Sequence, residues 1–186
     1  MMSKKRVLLH ICCGPCSLYP VQDLRRQGYE VVGIFYNPNI HPLQEYLRRR
    51  HGALEAADHL GLKMIWKDDE YDPGTYLRQV AFREPKRCFL CYQMRLERTM
   101  SIAGRGNFDF FSTTLLYSIH QQHQEIVHLG RDMAGNKTLQ FLDRDFRPGW
   151  KAGIEQSLEL RIYRQQYCGC LYSEVERFSS ELKALV

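Results

Sequence analysis

Two short runs of branched apolar residues, RVLLH at Arg6–His10 and EVVGIFY at Glu30–Tyr36, bracket an amphipathic stretch at Ser17–Gln27 that ends on Gly28. Parallel neighbours need a crossover between them, and a helix of this length supplies one. The pattern then repeats. Leu43, Tyr46, Leu47, Leu54 and Ala57 recur at helical spacing within Pro42–Leu60, Gly61 stands where that helix ends, and KMIWK at Lys63–Lys67 reads as a third strand. Helices are expected at Asp72–Phe82 and Cys88–Gly104, the latter with Leu90, Met94 and Ile102 inward. Phe108–Leu116 reads as a fourth strand, His120–Ala134 as a helix, Thr138–Leu142 as a fifth strand, and Gly153–Leu160 and Ser173–Leu185 as closing helices. Such alternation predicts the α/β class, with a Rossmann-like parallel sheet covered by helices on both faces. A single domain over residues 1–186 is expected, with a small helical insertion between residues 68 and 104.

A chain of 186 residues, 44% hydrophobic and 25% charged, can bury a core without staples. No run of ~18 apolar residues predicts a membrane span. The start, MMSKKRVLLHICCGPC, imitates an export signal, but His10 interrupts its short apolar run. A cytoplasmic protein with no membrane partner is therefore expected. The formal charge of +5 suits an anionic partner such as a nucleic acid and raises that expectation modestly.

Seven cysteines cannot all pair, and in a reducing compartment a grouped set of thiols points to metal or catalysis. They fall into Cys12-Cys13-Gly14-Pro15-Cys16, Cys88-Phe89-Leu90-Cys91 and Cys168-Gly169-Cys170. Two of these groups contain C-x-x-C, which lets two sulfurs reach one metal or cluster. In open parallel sheets ligands bind beyond the C-terminal ends of the strands. Cys12, Cys13 and Cys16 follow the first strand, Asn37–His41 the second, Thr113–Ser118 the fourth and Asp143–Arg147 the fifth, so one pocket is expected to collect them. A four-iron cluster or a structural zinc takes four thiolates, and seven exceed either need. The surplus implies a cluster with a further ligand set, a second metal, or reactive thiols beside a cluster. Structural zinc remains an alternative, and so does a thioredoxin-like Cys13-Gly-Pro-Cys16, although the latter leaves the other two groups unexplained.

The ordered segments LLHICCGPCS, YNPNIHPLQEYLRR, RCFLCYQMRLERT, FSTTLLYSIHQQHQEI, DFRPGW and YRQQYCGCLYS resemble the cobalamin-independent epoxyqueuosine reductase (QueH) family from Leu8 to Ser173. The chain departs from the expected pattern at Ile119, where a proline is usual. The resemblance implies a fold akin to adenine nucleotide α-hydrolases, with cysteines where those proteins keep a phosphate-binding loop. It implies deoxygenation of epoxyqueuosine at the wobble position of tRNA, a [4Fe-4S] cluster, and a second iron held by two cysteines and an aspartate, with no cobalamin. An external electron donor is implied as well.

On that footing all seven cysteines are candidate cofactor and metal ligands: Cys12, Cys13, Cys16, Cys88, Cys91, Cys168 and Cys170. Asp145 is the expected aspartate ligand and Asp143 its rival. His10, Tyr92 and Tyr167 are candidate proton donors or partners of sulfur. Asn37, Asn39 and His41 are placed to read the modified base, although N-P-N is also ordinary turn chemistry. For phosphate, Arg48–Arg50, Lys86, Arg87, Arg95, Arg98, Arg144, Arg147, Arg161 and Arg164 are candidates, with Arg87 and Arg164 preferred because they adjoin cysteines. Two other functions compete: a thiol-based tRNA sulfur-transfer enzyme, which needs an ATP loop the sequence does not show, and a zinc-stabilised RNA-binding module.

Overall fold

In the computed structural model, which describes residues 4–185, five parallel strands form one sheet in the order β3-β2-β1-β4-β5. They are β1 (Arg6–His10), β2 (Glu30–Phe35), β3 (Met64–Trp66), β4 (Phe110–Thr113) and β5 (Gln140–Phe141). The helices are α1 (Pro15–Arg26), α2 (Leu43–Leu60), α3 (Pro73–Val80), α4 (Arg87–Arg105), α5 (His123–Ala134), α6 (Trp150–Glu159) and α7 (Leu171–Lys183). Val7, Leu8 and Leu9 of the central strand are wholly buried, as a strand covered on both faces requires. On one side α1 packs against α2 and α6; on the other α4 packs against α5, β1 and β4.

The chain winds outward from β1 through β2 to β3, then returns to place β4 on the other side of β1. Beyond the carboxyl ends of β1 and β4 the connections therefore diverge, and a crevice opens there. Leu9 pairs with Gly33 on one side and Ser112 on the other, so the segments after His10 and Thr113 emerge side by side. The helix after β1 lies very close to α2: a Cβ on Gly14 would stand 2.1 Å from the Gly52 carbonyl oxygen.

The fourth strand is shorter than its apolar run predicts. The Thr113 hydroxyl accepts the Leu115 N–H, and the chain turns into a 3-10 segment at Thr114–Tyr117. The inward face of α2 also differs from expectation, and that of α4 is more polar than its apolar pattern implies. Leu43 and Leu47 are about half exposed, while Glu45, Tyr46, Arg49, Ala53, Ala56 and Ala57 face in. In α4 the buried residues are Cys91, Tyr92, Arg95, Leu96, Thr99 and Ala103; Leu90, Met94 and Ile102 are half-buried and pack against the core as expected, Leu90 and Met94 also lining a surface groove with Tyr36 and Gln79. Both helices turn polar side chains inward because the crevice, not apolar core alone, lies beneath them. Among the described residues no helix is long and apolar enough to cross a membrane.

Candidate metal centre

The turn from β1 into α1 brings Cys12, Cys13 and Cys16 together, with their sulfurs all within 4.8 Å of one another. All three are buried, Cys13 completely. The residue after β4 fixes the first of them: Thr114 Oγ1 accepts the Cys12 N–H at 3.1 Å and donates to its Sγ at 3.2 Å. Gln165 Nε2 donates to Cys13 Sγ at 3.2 Å and lies 3.8 Å from Cys16 Sγ.

The remaining cysteines face the same cleft as the first set. Cys88 and Cys91 open α4, and Cys168 and Cys170 lie on the loop into α7; all four line a single cleft of about 660 Å³ together with Cys12 and Cys16. Arg49 holds that loop, its Nη1 donating to the Cys168 carbonyl at 2.7 Å and Nη2 to the Tyr167 carbonyl at 2.9 Å. Glu45 neutralises Arg49 at 2.7 Å, and both side chains are almost wholly buried. The His41 N–H donates to Gly169 O at 2.7 Å, and Gly169 itself adopts φ +134°, a conformation glycine allows.

Crowding and burial set the protonation of the thiols. Cys12 is held well below the usual thiol range, chiefly by hydrogen bonding from Cys13 and then Cys16. Those two are pushed upward, Cys13 mainly by burial and Cys16 mainly by its hydrogen bonds to Cys12 and Cys13. Burial raises Cys88, with the charges of Cys168 and Cys170 adding to the rise, and pushes Cys91 up to about 12. Cys13, Cys16, Cys88 and Cys91 thus resist ionising unless a cation joins them.

The surroundings suit such a cation–thiolate centre. Side-chain N–H and O–H groups aim at sulfur as an acceptor: Thr114 at Cys12, Gln165 at Cys13, Asn39 Nδ2 at Cys91 (3.1 Å) and Gln121 Nε2 at Cys168 (3.3 Å). Metal-bound thiolates accept such bonds, and these partners orient their ligands. Each cysteine segment also sits at a helix start: Cys16 in the first turn of α1, Cys88 in that of α4, and Cys170 at the N-cap of α7. Helix N-termini favour negative charge on sulfur. The donor set is therefore compatible with an iron–sulfur cluster.

The other expected residues divide. Asn39, Arg87, Tyr92, Arg95, Arg164 and Tyr167 line the cleft. Tyr92 donates to Gln121 Oε1 at 3.0 Å, which fixes the amide that faces Cys168, and burial raises its pKa. Tyr167 gives its proton to the His41 carbonyl, and its pKa is pushed up to about 12, mainly by burial. Arg87 pairs with Glu176. Asn37 instead braces the Ile11 carbonyl at 2.9 Å, and the His41 ring packs against Tyr76 with centroids 6.1 Å apart.

His10 lies beneath the cleft rather than on it. Its Nε2 faces the Tyr36 carbonyl at 3.0 Å, which requires a proton there, so Nδ1 accepts from Thr113 Oγ1 at 3.0 Å. Burial lowers its pKa to about 4. Asp145 is not brought to the sulfurs: Arg147 takes it in a two-pronged pair and lowers its pKa to about 2, with His123 3.6 Å away. Asp143 pairs with Arg131. Arg147 likewise lies outside the cleft lining. Of the basic residues expected at phosphate, Arg49 and Arg95 are buried, Arg48 pairs with Glu45, Arg98 with Glu70 and Arg144 with Asp23.

Sequence reasoning missed Thr114, Gln121 and Gln165 as sulfur partners and Arg49 as the brace of the last cysteine loop. Gln165 had a signal, since it precedes YCGC; Gln121 had none. Phe82 was missed too. It is 98% exposed with φ 62°, in the turn before the cysteines of α4.

The sequence model described as epoxyqueuosine reductase QueH matches residues 7–176. The chain is 35% identical to the epoxyqueuosine reductase QueH of Dehalococcoides mccartyi over 93% of this chain and 94% of that protein. With the protein of the same name from Thermotoga maritima it shares 35% over 92% and 91%. In structure it resembles the U34-tRNA thiolase NcsA from Methanococcus maripaludis with its [4Fe-4S] cluster. The TM-score is 0.62 at 16% identity, covering 99% of this chain and 68% of that one, a likeness of fold alone.

Proposed function

The chain belongs to the epoxyqueuosine reductase QueH family, and on that footing we propose that its cysteine-walled cleft receives the epoxyqueuosine of a tRNA and removes the epoxide oxygen. The enzyme is an oxidoreductase. Both carbon–oxygen bonds of the epoxide break, a carbon–carbon double bond forms, and the oxygen leaves as water after two electrons and two protons are taken up. One observation carries the reading: six of the seven cysteines line a single cleft, with Cys13 directly behind them. Its volume of about 660 Å³ suits a nucleoside turned out of an RNA loop. Family membership favours this reading over sulfur transfer and over a zinc module.

The spatial grouping suggests a division of ligands. Cys88, Cys91, Cys168 and Cys170 match the four thiolates of a [4Fe-4S] cluster, and Cys12, Cys13 and Cys16 close on a single ion. Cys16 then fills the third place for which Asp145 was expected. A cluster held there supplies electrons singly, drawn from an external donor. The chain's own residues do the rest. Gln121, Gln165, Asn39 and Thr114 orient the sulfurs, and Tyr92, kept protonated by burial, is the buried acid at the cleft wall. Arg164 and Arg177 at the cleft give phosphate a positive approach. A tRNA substrate and free thiols suit a cytoplasmic setting.

Protein purified without oxygen, loaded with iron and sulfide and reduced with dithionite is expected to convert epoxyqueuosine tRNA, read as loss of one oxygen atom by mass analysis of the nucleoside. Zinc in place of iron in freshly purified protein, or no conversion by the iron-loaded form, overturns the reading.

A further inference from the structure

Two guanidinium groups are buried in this molecule to 2% exposure, Arg49 and Arg95, and they are treated differently. Arg49 has the Glu45 carboxylate at 2.7 Å. Arg95 has no carboxylate within 4.0 Å among the described residues. Its Nε and Nη2 both donate to one neutral atom, Asn39 Oδ1, at 3.2 and 2.9 Å. A buried cation without an anion is unstable, and protein interiors rarely keep one.

The groups around Arg95 identify the missing anion. It stands one turn after Cys91 on the inward face of α4 and lines the cleft that holds both sets of thiols. The charges of Cys91, Cys12 and Cys168 all act on it. The other titratable neighbours are Tyr76, Tyr36 and His10, all kept neutral chiefly by burial. Asn39 links the cation to sulfur directly. Because Arg95 claims its carbonyl oxygen, its amide nitrogen must point the other way, and it donates to Cys91 Sγ at 3.1 Å.

We propose that Arg95, acting through Asn39, is the built-in counter-cation of the cysteine-bound redox centre and raises its reduction potential. The proposal rests on the iron–sulfur reading above. Each electron that enters adds one negative charge to a buried site; a fixed positive charge beside it favours the reduced form, and the N–H···S bond to Cys91 acts in the same direction. Arg95 is thus a positioning and electrostatic residue that need not touch the substrate.

Redox titration of the iron–sulfur signal by electron paramagnetic resonance tests this in iron-loaded protein. In Arg95→Met the reduced-to-oxidised ratio at a fixed potential should fall about tenfold, a shift of about 59 mV for a one-electron couple. Arg95→Lys should stay within about threefold of the parent. Asn39→Asp guards against a folding failure, since it gives Arg95 a carboxylate while cancelling its charge and removing the donor to Cys91; its ratio should fall as in Arg95→Met. Unmoved potentials in Arg95→Met and Asn39→Asp overturn the proposal. So does an unmoved potential combined with lost affinity for tRNA, which would make Arg95 a phosphate anchor. A parent protein without an iron–sulfur signal overturns the underlying reading and this inference together, whereas a parent signal with unmoved variants overturns the inference alone.

Discussion

The two sets of thiols are built by opposite means. Cys12, Cys13 and Cys16 come from one turn, five residues long, rooted in the central strand and pressed against α2 where Gly14 meets Gly52. Their sulfurs converge within 4.8 Å and are buried, with Cys12 and Cys16 at the cleft wall and Cys13 fully enclosed. Cys88, Cys91, Cys168 and Cys170 come from a helix start and a distant loop, and range from buried Cys91 to exposed Cys168. That loop is held by bonds from elsewhere: Arg49 to two carbonyls, His41 to Gly169, and Ser173 to the Gly169 N–H at 3.1 Å. The first set is preformed by the sheet. The second is assembled by tertiary contacts and has most to gain from a bound cluster.

The largest effect should come from metal. Replacing Cys13 or Cys168 by serine should each abolish measurable conversion, but the two losses should differ in kind. Stripping the metal with a chelator should speed amide exchange across residues 164–170 by about a hundredfold and leave β1 protected, as local opening at the less stable end predicts. Equal loosening of both regions, read by hydrogen exchange, would break the distinction. Next, Arg49→Met should cost about 1–3 kcal/mol, because it removes the buried cation beside Glu45, leaving Arg48 and Tyr163 to hold the carboxylate, and frees the Cys168 loop. Denaturant unfolding measures this.

The pH dependence of that same pair has a definite sign. Glu45 is held below its ordinary 4.5 in the folded protein by hydrogen bonds from Tyr163 and Arg49, which outweigh burial. A carboxyl with a depressed folded pKa contributes stability above about pH 4.5, and that contribution is lost as pH falls further. Stability measured from pH 6 downward should therefore decline through this window. By contrast, Gly14→Ala tests the preformed set. Its Cβ would strike the Gly52 backbone, so a cost of about 1–3 kcal/mol or more is expected, with no recovery on adding iron and sulfide.

The difference between the two sets also governs what sequence could reveal. RVLLH and CCGPC are separated by Ile11 alone, so local periodicity is enough to place the first set at the sheet edge. Merging Cys88-x-x-Cys91 with Cys168-x-Cys170 required knowing that α4 and the last loop share a cleft, which spacing alone does not encode. Asp145 looked eligible because it follows β5, yet the neighbouring Arg147 claims it. The inward face of α2 misled for a related reason: apolar periodicity points to Leu43 and Leu47, which are half exposed, whereas the site buries Arg49 there and Arg95 on α4. Hydrophobic pattern finds core, and a buried polar site on a helix violates the rule that makes helices legible. The fourth strand ran long for want of one hydrogen bond, the Thr113 cap that ends it.

The smallest effect is expected at Phe82, in the turn that leads into the second set. Six residues before Cys88, at most about 20 Å of extended chain away, a phenylalanine stands 98% exposed in the left-handed region at φ 62°. A bulky side chain costs about 1–2 kcal/mol there relative to glycine, and burial does not offset it. Arg83 follows it and Lys86 lies four residues on, while the Glu84 carboxylate accepts the Phe82 N–H at 3.2 Å. An exposed aromatic near cations suits a base of an RNA loop, and stacking of that kind contributes about 1–3 kcal/mol. Phe82→Gly should therefore move two quantities in opposite directions, raising stability by about 1 kcal/mol as the backbone strain is relieved and weakening tRNA binding by about tenfold. Conversion of free epoxyqueuosine nucleoside, if the enzyme accepts it, should be unchanged. Phe82→Trp should bind tRNA at least as tightly as the parent. Unchanged tRNA affinity in Phe82→Gly would confine recognition to the cleft itself and leave this turn without a part in it.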